Sequence, residues 1–216
     1  MLKLQKPGEV KKKKAMKAEG LTQEQIEHMM KYEHHYAGGV LSYEDHKGLV
    51  QNIDYLSERA GVPVQFITTS SKGIFSDKEK EFLKDWPSHR DNGISGAYYE
   101  GAETKALDSM FALCGVMLRN HIDAKVVFMH ELIASLKSDS PVQSRFVCIP
   151  NFILPKKGGG DIATWEFAQI MGWLLSRHGA GKMTILYINS WKLLEDQYGK
   201  TLTRHIEDHY RDLQNG

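Results

Sequence analysis

Ile94-Ser95-Gly96-Ala97-Tyr98-Tyr99-Glu100-Gly101-Ala102-Glu103-Thr104-Lys105-Ala106-Leu107 is the stretch whose reading decides the fold. Its first half is short, apolar and rich in β-favouring residues, and its second half leads through a glycine into a helical pattern ending near His121. A strand, a tight turn and a helix laid end to end form a unit in which backbone N–H groups at the turn and the helix N-terminus point at an anion. Aligned on Lys105, the phosphate-loop pattern G-x-x-x-x-G-K-[ST] places Tyr99 and Thr104 at its glycines and Ala106 at its magnesium-binding hydroxyl. The lysine alone is kept, with Gly101 as the first glycine of any shortened loop. The 99–105 turn is therefore expected to be filled by its own side chains.

Outward from this unit the pattern alternates. Strands are expected at 94–99, 124–128, 145–149 and 183–188. Helices are expected at 104–121, 130–137 and 162–178, then from Ser190 to Tyr198 and from Thr201 to Leu213. Alternating βα units with apolar, β-branched strands give a parallel sheet covered by helices on both faces. Upstream, Val62 to Thr69 is β-like, and Ser76 caps a helix that holds Phe82, Leu83 and Trp86 inward until Pro87 closes it. Thr22, with Gln25 at capping-box distance, starts an amphipathic helix to Tyr36, and Ser42 caps a second one that Gly61 stops. The domain reading is a basic flexible tail at 1–20, a helical segment at 21–61 and an α/β domain at 62–216.

The segment from Lys84 to about Tyr210 resembles the AAA+ ATPase domain of helicase loaders of the DnaC, DnaI and IstB-like group. The resemblance is carried by a succession of elements. LKDWPSHRDNG precedes a first strand and P-loop, ISGAYYEGAETKALDSMFALCGVMLRN, and AKVVFMHELIASLKS is the second strand and helix. SRFVCIPNFI takes the place of the Walker B strand, and GKMTILYINSWKLLEDQYGKTLTRHIEDHY that of a sensor strand ending in asparagine. It implies a P-loop NTPase fold of the AAA+, RecA-like kind, with a small N-terminal helical segment in front.

A Walker B strand ends in acidic residues because one carboxylate holds magnesium and its neighbour polarises the attacking water. Here Pro150 and Asn151 stand at those positions, and Glu100 and Glu103 put negative charge beside the phosphate site. Asn189 matches the sensor asparagine or caps the next helix, and Arg204 matches the arginine offered to a neighbour's phosphate or is an ordinary surface residue. Gly101, Thr104, Lys105, Ala106, Pro150, Asn151, Asn189 and Arg204 thus form a degenerate nucleotide site with no catalytic residue and no cofactor.

The resemblance implies a DNA-replication accessory protein, of phage or mobile-element type, acting as a non-hydrolysing scaffold. Its expected partners are a replicative DNA helicase, single-stranded DNA and further copies of itself. One alternative is an active, atypical ATPase loader using ATP and magnesium through Lys105, Asn189 and Arg204. The other is a decoy that blocks a host helicase or its loader. The helicase contact falls on Ile26, Met29, Met30, Leu49, Ile53 and Leu56, whose two apolar stripes fit a groove or pack inward. The nucleic-acid contact falls on Lys11, Lys12, Lys13, Lys14 and Lys17 of a solvated, disordered tail.

Lys+Arg 28 against Asp+Glu 27 excludes a bulk polyelectrolyte binder. No stretch reaches the about 18 apolar residues of a membrane span, and no apolar signal core follows the N-terminus, so a cytoplasmic protein is expected. Cys114 and Cys148 lack metal spacing and read as reduced core residues. His28, His34, His35 and His46 read as surface histidines, and His205 and His209, at i, i+4 without a third ligand, as exposed ones, so no metal site is assigned. His130-Glu131 lacks the second histidine of a metalloprotease helix, and Lys156 to Gly160 reads as a flexible basic loop.

Overall fold

The computed structural model describes residues 12–13, 16–17, 20–101, 103–153 and 164–214, with the side chains of 103–105 and 164 outside that description. The expectations for Lys11, Lys14, the Thr104 and Lys105 side chains and the 156–160 loop therefore lie outside the described residues. The chain divides into two compact units, one within 1–53 with Thr68–Ser70, the other of Asp54–Ile67 and Ser71–Gly216.

In the first unit, α1 (Gln23–Lys31) begins where Thr22 accepts from Gln25 N at 3.3 Å while Gln25 Oε1 accepts from Thr22 N at 2.7 Å. The expected helix to Tyr36 breaks at Tyr32, after which α2 (Glu33–Tyr36) follows. Ser42 caps α3 (Tyr43–Gln51), accepting from Asp45 N at 3.2 Å, and after Asn52 comes α4 (Ile53–Ala60), which from Asp54 on belongs to the second unit. His28 is not a surface residue: it is buried, its Nε2 is 2.9 Å from the Tyr36 hydroxyl, and its ring packs on Tyr32 and Tyr43. Lys12–Lys13 and Met16–Lys17 are helical, and Lys12 pairs with Glu33.

The second unit is built on one parallel sheet. Its strands are β1 (Gly96–Glu100), β2 (Ala124–Val126), β3 (Phe146–Ile149), β4 (Met183–Ile188) and β5 (Tyr210–Asp212), in the spatial order β2-β3-β4-β1-β5. The sensor-like strand β4 lies between β1 and the Walker B-like strand β3, which is the P-loop NTPase arrangement. Gly96 is required by that pairing, since a Cβ there would lie 1.8 Å from the Thr184 carbonyl oxygen and 2.7 Å from the Tyr210 ring.

Helices cover both faces. They are α5 (Val64–Thr68), α6 (Asp77–Lys84), α7 (Trp86–His89), α8 (Glu103–Arg119), α9 (Met129–Lys137), α10 (Thr164–Gly179) and α11 (Trp191–His209). Alternation along β3 sends Cys148 toward α8, with its Sγ 3.6 Å from that of Cys114. Val147 and Ile149 go to the opposite face, into a core with Ile170, Leu174, Leu194 and Ile206. Both cysteines are free and buried, and burial raises the Cys148 thiol.

Three readings are corrected. The β-like run Val62–Thr69 is helical as α5, because an apolar run this short fits either state and Pro63 opens a turn through Phe66 N and its own carbonyl. Pro87 does not end the helical region but sits at the start of α7. The last helix stops at His209, and Tyr210–Asp212 instead add the edge strand β5 beside β1. The two helices expected after Ser190 are both present within α11 and meet at a kink at Gly199, whose φ of 73° departs from helix.

Candidate nucleotide-like site

In an open α/β sheet, ligands sit beyond the carboxyl ends of the strands, here the ends of β1, β3 and β4. At β1 the turn is tied down by its carbonyl, with the Tyr187 hydroxyl of β4 donating to Gly101 O, and Gly101 has a φ of 104°. Beneath it lies a buried polar network. The Tyr99 hydroxyl donates to Glu79 Oε1 at 2.6 Å, and Ser76 N donates to Glu79 Oε2 at 2.6 Å within the box that starts α6. Burial, then the Glu79 carboxylate, holds the Tyr99 phenol well above its ordinary range.

A cavity of about 930 Å³ opens beside the turn, and the expectation of a turn filled by its own side chains falls at 102–105 on side chains outside the described residues. Glu79, Glu100 and Asp108 line this cavity with Phe66, Phe75 and Tyr99, and among the described lining residues there is no lysine, arginine or histidine. Ala106 is buried on its wall. Each of these three carboxylates disfavours an anion in the hollow.

At β3, Pro150 is buried and Asn151 half-buried. The helix that needs Asn151 is α9, whose N-cap residue, Phe128, has no side-chain acceptor. Asn151 Oδ1 accepts from Met129 N at 2.8 Å in its place, and Glu131 Oε2 accepts from Phe128 N at 2.8 Å. The segment is tethered again one residue on, where the Tyr198 hydroxyl of α11 donates to Phe152 O at 2.6 Å and the two rings stack at 4.8 Å. Burial drives the Tyr198 phenol far above its ordinary range. The Walker B-like position thus holds a neutral side chain whose oxygen is already bonded.

Asn189 is exposed on the bend after β4 and does not cap the next helix; Ser190 does, accepting from Leu193 N at 3.3 Å. Arg204 is exposed on α11, whose neighbours Leu202, Thr203 and Ile206 face inward. Of the stripe residues proposed for a helicase, Ile26, Leu49 and Ile53 are buried, while Met29, Met30 and Leu56 are half-buried.

Sequence reading missed the third member of a histidine cluster. His178 from α10 packs against His205 and His209 of α11, with ring centroids 4.7 to 5.7 Å apart, so the pair expected to be exposed is half-buried. Ser95 bonds His178, His209 Nδ1 lies 3.1 Å from Gly93 O, and the buried Nε2 of His205 has no hydrogen-bond partner. Burial, then the neighbouring histidines, lowers the basicity of His178 and His205. The signal was the i, i+4 pair; its partner lies on another helix. Among the described residues no group of three such side chains is arranged to hold a metal ion, and no helix is long and apolar enough to cross a membrane.

Neither protein-family models nor curated proteins give a match to this chain. Among solved structures, AMPPCP-bound DnaA from Aquifex aeolicus aligns with 64% of this chain and 47% of its own, at 8% identity and a TM-score of 0.46. The chain therefore spans about half the length of that protein. A likeness at this level assigns no residue and no activity, and the fold rests on the sheet order itself, an α/β P-loop NTPase arrangement.

Proposed function

We propose that this protein is a replication accessory factor of the helicase-loader kind, in which the P-loop unit serves as a non-hydrolysing scaffold. The observation that carries the scaffold reading is Asn151, whose side-chain oxygen caps α9 where a Walker B carboxylate would hold magnesium. Buried Ala106 and the carboxylate-lined cavity support it. The helicase and single-strand contacts rest on the resemblance to loaders, with Met29 and Met30 as the accessible part of the first stripe and Lys12, Lys13 and Lys17 as the described part of the basic tail.

The test combines nucleotide calorimetry and turnover with capture of the replicative helicase. The expected outcome is no ATP hydrolysis, no micromolar ATP binding with magnesium, and capture that a folded Met29→Glu/Met30→Glu variant loses. Turnover abolished by Lys105→Ala would establish the active-loader alternative instead. Capture that halts helicase loading in a reconstituted assay would establish the decoy.

A further inference from the structure

At the opposite, amino-terminal end of the strands, where β3 and β4 begin, a cleft of about 420 Å³ is lined by Trp86, Arg90, Asp91, Arg145, Gly181 and Lys182 among others. Its cations are brought together by the backbone. Phe146 and Met183 are register partners, so Arg145 and Lys182, one residue earlier on adjacent parallel strands, stand side by side about 4.8 Å apart along the sheet. Met183 N donates to Arg145 O at 2.9 Å and locks that pairing. The stem of Arg90 lies across Gly181, where a Cβ would come within 2.8 Å of Arg90 Cδ. Lys182 Nζ donates to Gln143 Oε1 at 2.8 Å, a neutral partner that orients the ammonium.

A fourth cation lies just under this floor. Arg177 is 3% exposed and donates to Ser144 O at 2.8 Å, to Thr184 Oγ1 at 2.8 Å and to Met183 O. Its acceptors are carbonyl and hydroxyl oxygens, none of them a carboxylate, so its charge adds to the potential above. A second hollow of about 270 Å³ shares Lys182 and continues the trough past Gln143 and Arg177. In a chain of net charge +1, this end of the sheet gathers Arg90, Arg145, Lys182 and Arg177 against Asp91 in the cleft and Asp139 in the adjoining hollow among the described lining residues.

We propose that this cleft binds the phosphodiester backbone of a single-stranded nucleic acid. Arginine forks match phosphate oxygens in pairs, and the half-buried indole of Trp86, backed by Phe146 at 5.5 Å between centroids, offers a wall for an unpaired base. A duplex keeps its bases stacked and cannot use that wall. An acidic protein segment would use the charges and leave the indole idle. The inference deepens the reading above by placing its nucleic-acid contact, and it rests on that reading for the class of strand.

The experiment is fluorescence anisotropy of a labelled oligo-dT with the full chain across a sodium chloride series. Replacing Arg90, Arg145 and Lys182 together by alanine is expected to lower the slope of log affinity against log salt by about 2, at about 0.7 per lost phosphate contact. Trp86→Leu is expected to weaken binding about tenfold with the slope unchanged. Arg145→Glu, at an exposed position, gives the same direction if the triple variant melts early. Lys12→Ala/Lys13→Ala/Lys17→Ala separates the tail's share of the slope from that of the cleft.

Oligo-dT binding that keeps its affinity and slope in the triple variant overturns the proposal. So does polyglutamate displacing oligo-dT while Trp86→Leu has no effect, which would reassign the cleft to an acidic protein. Helicase capture is measured on the same preparations. A cleft variant that loses oligo-dT yet captures helicase upholds the cleft assignment, and a chain that binds oligo-dT without capturing helicase fails the loader reading alone.

Discussion

Asn151 offers two substitutions of opposite sign. Asn151→Ala removes the acceptor for Met129 N, one of the first-turn donors of α9 that has no partner inside the helix. The loss is that of a side-chain cap, about 1 kcal/mol, which for a chain of this size lowers the melting temperature by about 2–4 °C. Asn151→Asp keeps the acceptor and adds negative charge at the helix N-terminus, a gain of about 0.5 kcal/mol that Glu131 at the same turn partly offsets through repulsion. Its melting temperature should therefore equal or slightly exceed that of the unsubstituted chain. The aspartate also restores a carboxylate at the Walker B-like position, and magnesium-dependent ATP turnover should stay at background because Ala106 and the cavity carboxylates are unchanged. Thermal unfolding by circular dichroism and a phosphate-release assay read the two effects. An unchanged melting temperature in Asn151→Ala refutes the capping role, and turnover appearing in Asn151→Asp refutes the view that the site has lost more than one group.

Gly96→Ala drives a methyl group into the Thr184 carbonyl, so urea unfolding should show a loss of about 3 kcal/mol or no folded protein, and a loss below about 1 kcal/mol would contradict the close strand approach. Tyr99→Phe leaves buried Glu79 short of a donor and should cost about 1.5–3 kcal/mol by the same measurement, whereas a neutral result would mean that water reaches the carboxylate. Because His178 and His205 are less basic folded than their ordinary value of 6.5, the unfolded chain takes up protons first. Stability is full above pH 6.5 and falls as the pH drops through 6.5 toward the lower folded values. His178→Gln/His205→Gln should shrink that acid loss without removing it, since His28 and His89 are lowered in the same direction by burial. An identical pH profile in the double variant would place the acid sensitivity elsewhere.

The elements that proved legible were those with their own local signal. Thr22, Ser42 and Ser76 each bond the third residue on, and the apolar runs at 146–149 and 183–188 can be satisfied only inside a covered sheet. Val64–Thr68 reads as a strand in the sequence because three of its five residues are β-branched, and the run is too short for a helical period to show. β5 was invisible because Arg211 and Asp212 look like helix surface, and only the open edge of β1 makes them a strand. In the candidate site, the absence of acidic residues at 150 and 151 could be read directly. What Asn151 does instead could not, since Met129 comes from another βα unit. His178 joins His205 and His209 through the packing of two helices, which no spacing encodes.

The strand order has a consequence for how the chain is made. Gly96 is hydrogen-bonded on one side to the strand carrying Thr184 and on the other to the strand carrying Tyr210, so both neighbours of β1 are translated long after it. At ribosomal speeds of about 5–20 residues per second, this interior strand waits on the order of ten seconds with both edges open. During that interval β2 and β3 can pair with each other, but they cannot shelter β1, because β4 must first be inserted between them. A nascent chain halted anywhere before Met183 therefore exposes an apolar strand to its neighbours on the polysome, and chaperone demand during synthesis should peak in that window.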